Sequence, residues 1–181
     1  MSVFTNASSG AGEQAKAYTA AVMDLLGSGN QLDVLSTTDT KLRGAVDGLT
    51  AHQIAQPETT GKWSSRQVLQ HLVDSEVVWA YRLRMILAHD RPTLTGYDQD
   101  LWADRLHYDE ADPIEALKEF GTLRRANLRI LRRASAEELK RVGVHAERGD
   151  ESLEHLIRLY AGHDLLHLRQ LERIRRAVTA S

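Results

Sequence analysis

The sequence predicts an all-α protein, a four-helix bundle with a long crossover loop and an extra helix at its N-terminus. Three observations carry the helical expectation. Only three prolines interrupt 181 residues. Apolar residues recur at spacings of three and four more often than two, so strand alternation is scarce. Helix-start signals also stand where apolar stripes begin, among them two capping boxes, Ser64-Ser65-Arg66-Gln67 and Ser135-Ala136-Glu137-Glu138.

In order, residues 11–26 form a first helix ended by Gly27-Ser28-Gly29-Asn30. Val34, Leu35, Leu42, Val46 and Leu49 mark a second, capped by Asn30 or Asp33. The third starts at Ser64, carries Val68, Leu69, Leu72, Trp79, Leu83 and Ile86 on one stripe, and stops near His89 ahead of Pro92. Residues 91–112 are the longest connection. Asp112-Pro113-Ile114-Glu115 combines a capping side chain, a proline in the first turn and an acid that suits the helix dipole. That helix runs to about Arg133, a short one follows Ser135, Val142-Gly143-Val144-His145-Ala146-Glu147-Arg148-Gly149-Asp150 is a loop, and the last helix begins near Glu151.

A hydrophobic share of 42% in a chain of this length suits one sizeable core and one domain. The formal net charge of −2 gives no field that would draw nucleic acid or an anionic membrane. Arg125, Arg129, Arg132 and Arg133 spread over one side of their helix and are expected to be a solvated face. Neither a basic apolar leader nor an apolar run of membrane-spanning length is present, which leaves the cytoplasm as the expected location. With no cysteine, thiolate metal sites and cysteine nucleophiles are excluded, and His, Asp and Glu are the available ligands and bases.

On the last helix Leu153, Ile157, Tyr160, Asp164, His167, Leu171, Ile174 and Val178 follow spacings of four and three, which traces a single buried stripe. His163 lies about 40° from His167 around that helix, so both imidazoles point along the same inner edge. Unsatisfied polar groups there are costly. Each histidine either bonds a carbonyl or carboxylate, or the pair ligates a metal, as an i, i+4 spacing allows. A third ligand decides, and His71, on the flank of its helix's apolar stripe, is the candidate. His52, His89, His107 and His145 fall near helix ends or loops, and His155 projects away from the shared edge. Three imidazoles would leave a fourth position for water or substrate, the arrangement of catalytic zinc sites.

KWSSRQVLQHLVDSE, a long loop containing YDQDLWA, and GHDLLHLRQ together resemble the DinB superfamily, especially its YfiT-like branch of metal-dependent proteins. The resemblance covers roughly Leu32 to Ala177. It sets residues 1–30 apart as an N-terminal extension with a helix and makes residues 31–178 the bundle of one overall domain. By the resemblance, His71, His163 and His167 are the metal ligands, the ion is zinc, nickel or iron-like, and homodimers are frequent. Some members transfer thiols or use a thiol-dependent isomerase chemistry. Such chemistry here would need a low-molecular-weight thiol cofactor, because the chain has no thiol of its own.

The expected function is that of a divalent-metal enzyme, a hydrolase or thiol S-transferase, acting on a small-molecule substrate without nucleic acid or membrane. The rival is a non-catalytic bundle, metal-stabilised or ligand-binding. Asp164 follows His163 where zincin proteases carry a glutamate, but the rest of that motif is missing. It either orients a ligand or satisfies a polar neighbour, the alternative being that it reaches solvent at the stripe's edge. Tyr160 is expected to pack, with proton donation as the alternative. Tyr97, Asp98 and Trp102 either cover the metal or form a capped loop anchored by aromatics. Metal binding should stabilise the fold, and the increment should shrink as pH falls past about 6.5, the value of an unperturbed imidazole.

Overall fold

A computed structural model describes residues 12–180, with side chains from residue 17. The first eleven residues of the expected N-terminal extension lie outside that range. Helix α1 spans Gly12–Leu26 and α2 Gln31–Val46. Asn30 is the cap between them, its side chain accepting from the backbone N–H groups of Leu32 and Asp33. A short helix α3, Ala51–Ala55, has a capping box of its own at Thr50 and Gln53 and was not expected from the sequence. Helix α4, Ser65–Ala88, starts at the Ser64 box, where Ser64 and Gln67 satisfy each other's backbone donors.

The long connection is largely structured. It holds strand β1 at Thr93–Leu94, helix α5 at Gln99–Arg105 capped by Asp98, and a 3-10 turn at Tyr108–Glu110. Helix α6 is Pro113–Leu131 and α7 is Ala136–Leu139.

The segment read as a loop after α7 is a hairpin. Strand β2, Val142–His145, pairs antiparallel with β3, Gly149–Ser152, and parallel with β1. Its alternation is too short to stand out in sequence, and the turn is set by Gly149, whose φ of +80° is one that glycine adopts without strain. The hairpin also takes Glu151 and Ser152 from the last helix, so α8 spans Leu153–Thr179, with Ser152 accepting from His155 N–H at its start.

Helices α2, α4, α6 and α8 form the bundle: α2 packs on α6 and α8, and α4 on the same two. The core falls into two parts along its length. One gathers Trp79, Leu83, Ile86, Leu128, Leu153, Leu156 and Ile157, and the other Leu42, Val68, Leu72, Phe120, Leu171 and Ile174. Fully burying such a side chain contributes about 1.5–3 kcal/mol. Between the two parts the helices carry the polar residues described below.

Helix α1 lies against α8 with Val22 and Leu26 in the first core. The contact depends on Gly162. A Cβ there would land on the carbonyl oxygen of Val22. Glycine inside a helix ordinarily costs about 0.5–1 kcal/mol relative to alanine, so the close approach of α1 explains its presence. Gly162→Ala is therefore expected to destabilise the protein by about 1–3 kcal/mol, as overpacked cores do, instead of stabilising α8. Urea unfolding checks the sign, and a gain in stability would contradict the packing.

Candidate metal centre

His71 sits two turns into α4, behind the Ser64 cap, and is buried on a stretch of the helix that also buries Leu69, Leu72 and Val73. His163 and His167 lie one turn apart on α8. The three imidazoles meet: His163 Nε2 is 3.2 Å from His71 Nε2 and 3.1 Å from His167 Nε2, and one nitrogen from each ring falls within 4.8 Å of the others. An ion with metal–nitrogen bonds near 2.05 Å and tetrahedral angles needs its ligand nitrogens about 3.3 Å apart.

The donor chemistry fits such an ion. His167 Nδ1–H donates to Gln170 Oε1 at 2.8 Å, so its Nε2 presents a lone pair to the cluster. Each ring nitrogen offers one in-plane proton or one lone pair, so His163 Nε2 cannot satisfy both neighbours by hydrogen bonding. Burial depresses the pKa of all three. His71 and His163 are held well below the ordinary value, with the other imidazoles adding to the effect, and His167 is lowered to about 4. Three neutral imidazoles with converging lone pairs are what a divalent cation requires. His71 Nδ1 is buried with no hydrogen-bond partner among the described residues, and the Trp63 ring lies 5.1 Å from the imidazole.

The remaining histidines stay apart from the cluster. His52, His89 and His107 are exposed, and His155 is half-buried near Glu151. His145, placed by the sequence reading among loop residues, is instead buried on β2 and accepts a bond from Glu147 N–H at 3.2 Å. Arg125, Arg129, Arg132 and Arg133 are exposed, as expected of a solvated face.

Asp164 does not reach solvent. It is 1% exposed, accepts from Thr38 Oγ1 at 2.7 Å, and forms an ion pair with Arg124, itself 3% exposed. Arg124 also grips Glu76 through Nε and Nη2, at 3.1 and 2.8 Å, and donates to the Leu35 carbonyl. Asn127 Nδ2 donates to Glu76 Oε1 at 2.8 Å, and the Arg124 guanidinium lies over the Phe120 ring. One network thus joins α2, α4, α6 and α8, and it fixes the rotation and height of α8 one residue from His163. Glu76 and Arg124 escaped the sequence reading. Their signal was present: Glu76 lies between Leu72 and Trp79 on the α4 stripe, and Arg124 between Phe120 and Leu128 on α6.

A cavity of about 100 Å³ opens beside the cluster, with His163 in its wall. Tyr18 and Thr19 of α1, Ser75 and Arg82 of α4, Tyr97, Gln99, Arg148 and Tyr160 complete most of the lining. Tyr160 does pack, stacked on Trp79 at 4.4 Å, but it also faces the cavity. Tyr97 belongs to an aromatic-anchored loop, 4.5 Å from Trp102 and ahead of the Asp98 cap, and it too lines the cavity. Burial raises the pKa of the Tyr18, Tyr97 and Tyr160 hydroxyls, which keeps them protonated as donors.

The chain is similar to proteins of known name. The chain is 28% identical over 146 residues, 80% of its own length and 82% of the relative's, to a Bacillus subtilis protein named "Putative metal-dependent hydrolase YfiT". An Oceanobacillus iheyensis protein also named as a metal-dependent hydrolase is 32% identical over 128 residues, 70% of this chain and 73% of that one. The solved structure of B. subtilis YfiT, described as a four-helix bundle of unusual topology, superposes with a TM-score of 0.76 at 28% identity, covering 81% of this chain and 84% of that one. The DinB superfamily profile matches residues 35–171, a span that takes in α4 and α6 whole, most of α2 and α8, and all three clustered histidines. With profile, relatives and fold in agreement, the chain belongs to the DinB superfamily and is a YfiT-like member of it.

Proposed function

We propose that this chain is a divalent-metal-dependent enzyme acting on a small molecule, with hydrolysis as its reaction. One observation carries this reading: three neutral imidazoles converge, and one of them, His163, stands in the wall of a cavity whose described lining residues include no carboxylate. No acidic side chain there can serve as general base, so activation of water falls to the histidine cluster. A bound zinc or nickel ion supplies Lewis acidity and lowers the pKa of a water it holds. His71, His163 and His167 would hold the ion, with Gln170 fixing the tautomer of His167. The Tyr97 and Tyr160 hydroxyls orient substrate as donors. The relatives' names, which describe metal-dependent hydrolases, support the same reading.

Because the chain has no cysteine, thiol S-transfer would need a thiol from outside. The test is turnover of a panel of small esters and amides by zinc- or nickel-loaded protein, with and without a low-molecular-weight thiol. Hydrolysis without thiol is expected. Turnover that strictly requires the thiol would replace hydrolysis with transfer. Metal binding with no turnover in either arm would favour a metal-stabilised binding bundle.

A further inference from the structure

Arg82 is the least expected group in the cavity wall. It stands on α4 three turns beyond His71 and is 6% exposed. Nη2 donates to the Thr95 carbonyl, and the side chain bonds the Tyr160 hydroxyl. Nε is buried with no partner. Among the described residues no carboxylate forms an ion pair with it. Every other buried charge near the site is matched: Arg124 holds Glu76 and Asp164, and Arg148, also in the wall, is clamped by Glu151 at 2.6 and 2.9 Å. A guanidinium cannot shed its charge, and a buried cation without a contacting anion is costly. The opening beside it is apolar on several sides and supplies the Tyr18, Tyr97 and Tyr160 hydroxyls.

We propose that Arg82 is the anchor for a carboxylate group of the substrate, which makes a small carboxylic acid derivative the substrate class, bound by its carboxylate at Arg82 with its reacting group toward His163. The inference rests on the cavity being the substrate site of the function proposed above. The choice of carboxylate over phosphate follows from charge. Because Arg148 is already neutralised by Glu151, one positive charge is available, which matches a monoanion and not a phosphate dianion. Arg82 lines the cavity, and its guanidinium presents donors in a fixed planar fork that suits a carboxylate better than a tetrahedral anion. Arg82 is a specificity-determining residue in this account and takes no part in bond making.

The test uses the full chain in zinc-free and zinc-loaded form and follows the Nε–H resonance of Arg82 by nuclear magnetic resonance, assigned by its loss in Arg82→Lys. Propionate is titrated against propionamide, its uncharged analogue, and against inorganic phosphate. The expected result is a saturable shift of that resonance with propionate in both forms, none with propionamide, and at least about tenfold weaker binding of phosphate. Arg82→Met should weaken propionate by about tenfold or more, and Arg82→Lys should retain part of the affinity, with circular dichroism confirming that both are folded. Equal shifts with propionamide would overturn the proposal. So would propionate binding only to the zinc-loaded protein with the Arg82 resonance unmoved, because the metal would then be the anion's partner. Failure of zinc to bind, with the propionate shift intact, would sink the metal reading and leave the Arg82 site standing.

Discussion

Arg124→Met should cost the protein about 3–5 kcal/mol, a large part of the 5–15 kcal/mol that usually separates folded from unfolded states. The guanidinium is the only group bridging Glu76 and Asp164 among the described residues, and both carboxylates are 1% exposed. Removing it leaves two like charges buried without a cation. Arg124→Lys should fall between, since an ammonium cannot grip both carboxylates along two edges. The effect belongs to the broken network more than to the pair itself, because well-packed apolar groups of the same shape are often as stable as a buried ion pair. Arg124→Met combined with Glu76→Gln and Asp164→Asn should therefore recover part of the loss. Urea unfolding near neutral pH measures all three variants. A cost below about 1 kcal/mol for Arg124→Met would mean that the four helices are not tied together at this level.

The second large effect is on metal affinity. His71→Ala, His163→Ala and His167→Ala should each lower the affinity for zinc or nickel by more than about a hundredfold, since each removes one of three ligands where even an outer partner is worth 10–100-fold. Gln170→Leu tests that outer partner and should fall in the 10–100-fold range, because His167 Nδ1–H then loses its acceptor. His155→Ala should leave affinity unchanged, its ring being directed to Glu151 and away from the cluster. Calorimetric titration of protein prepared without an affinity tag gives all five numbers. Unchanged affinity in His71→Ala would separate α4 from the site and leave an ordinary histidine pair on α8.

Much of this was legible in the sequence because it depends on local chemistry. Asn30, Ser64, Asp112 and Ser135 each cap a helix through their own side chain and the next turn of backbone, so the starts of α2, α4, α6 and α7 could be read directly. The His163–His167 edge follows from helical geometry alone. The partnership with His71, ninety-two residues away, does not: its place on the flank of the α4 stripe makes it a candidate, and the family resemblance makes it a ligand. The hairpin escaped because Val142–His145 is stabilised by pairing with Thr93–Leu94 and Gly149–Ser152, segments with no strand pattern of their own. Glu76 and Arg124 escaped, and with them the partner of Asp164, for a related reason. Each is a charge on an apolar stripe whose cost is offset only by residues on other helices, so none has a local explanation. The contribution of α1 to the cavity, through Tyr18 and Thr19, depends likewise on the Gly162 contact.

The central claim, that three imidazoles bind a divalent ion, is tested most directly by the melting temperature with and without zinc as a function of pH. A ligand that binds only the folded state stabilises it by about 2.7 kcal/mol at a hundredfold over its dissociation constant. Protons compete for the same nitrogens, but burial moves the window from where an isolated imidazole would put it. With the folded pKa of His167 lowered to about 4 and those of His71 and His163 also depressed, the cluster stays neutral well below the usual range. Metal binding needs the neutral form, so the increment should persist from about pH 7.5 to about pH 5.5 and be lost as pH falls through about 4. The expected result is that plateau followed by loss, absent throughout in His163→Ala. No increment at about pH 7.5, or an increment retained in His163→Ala, would contradict ligation by these histidines.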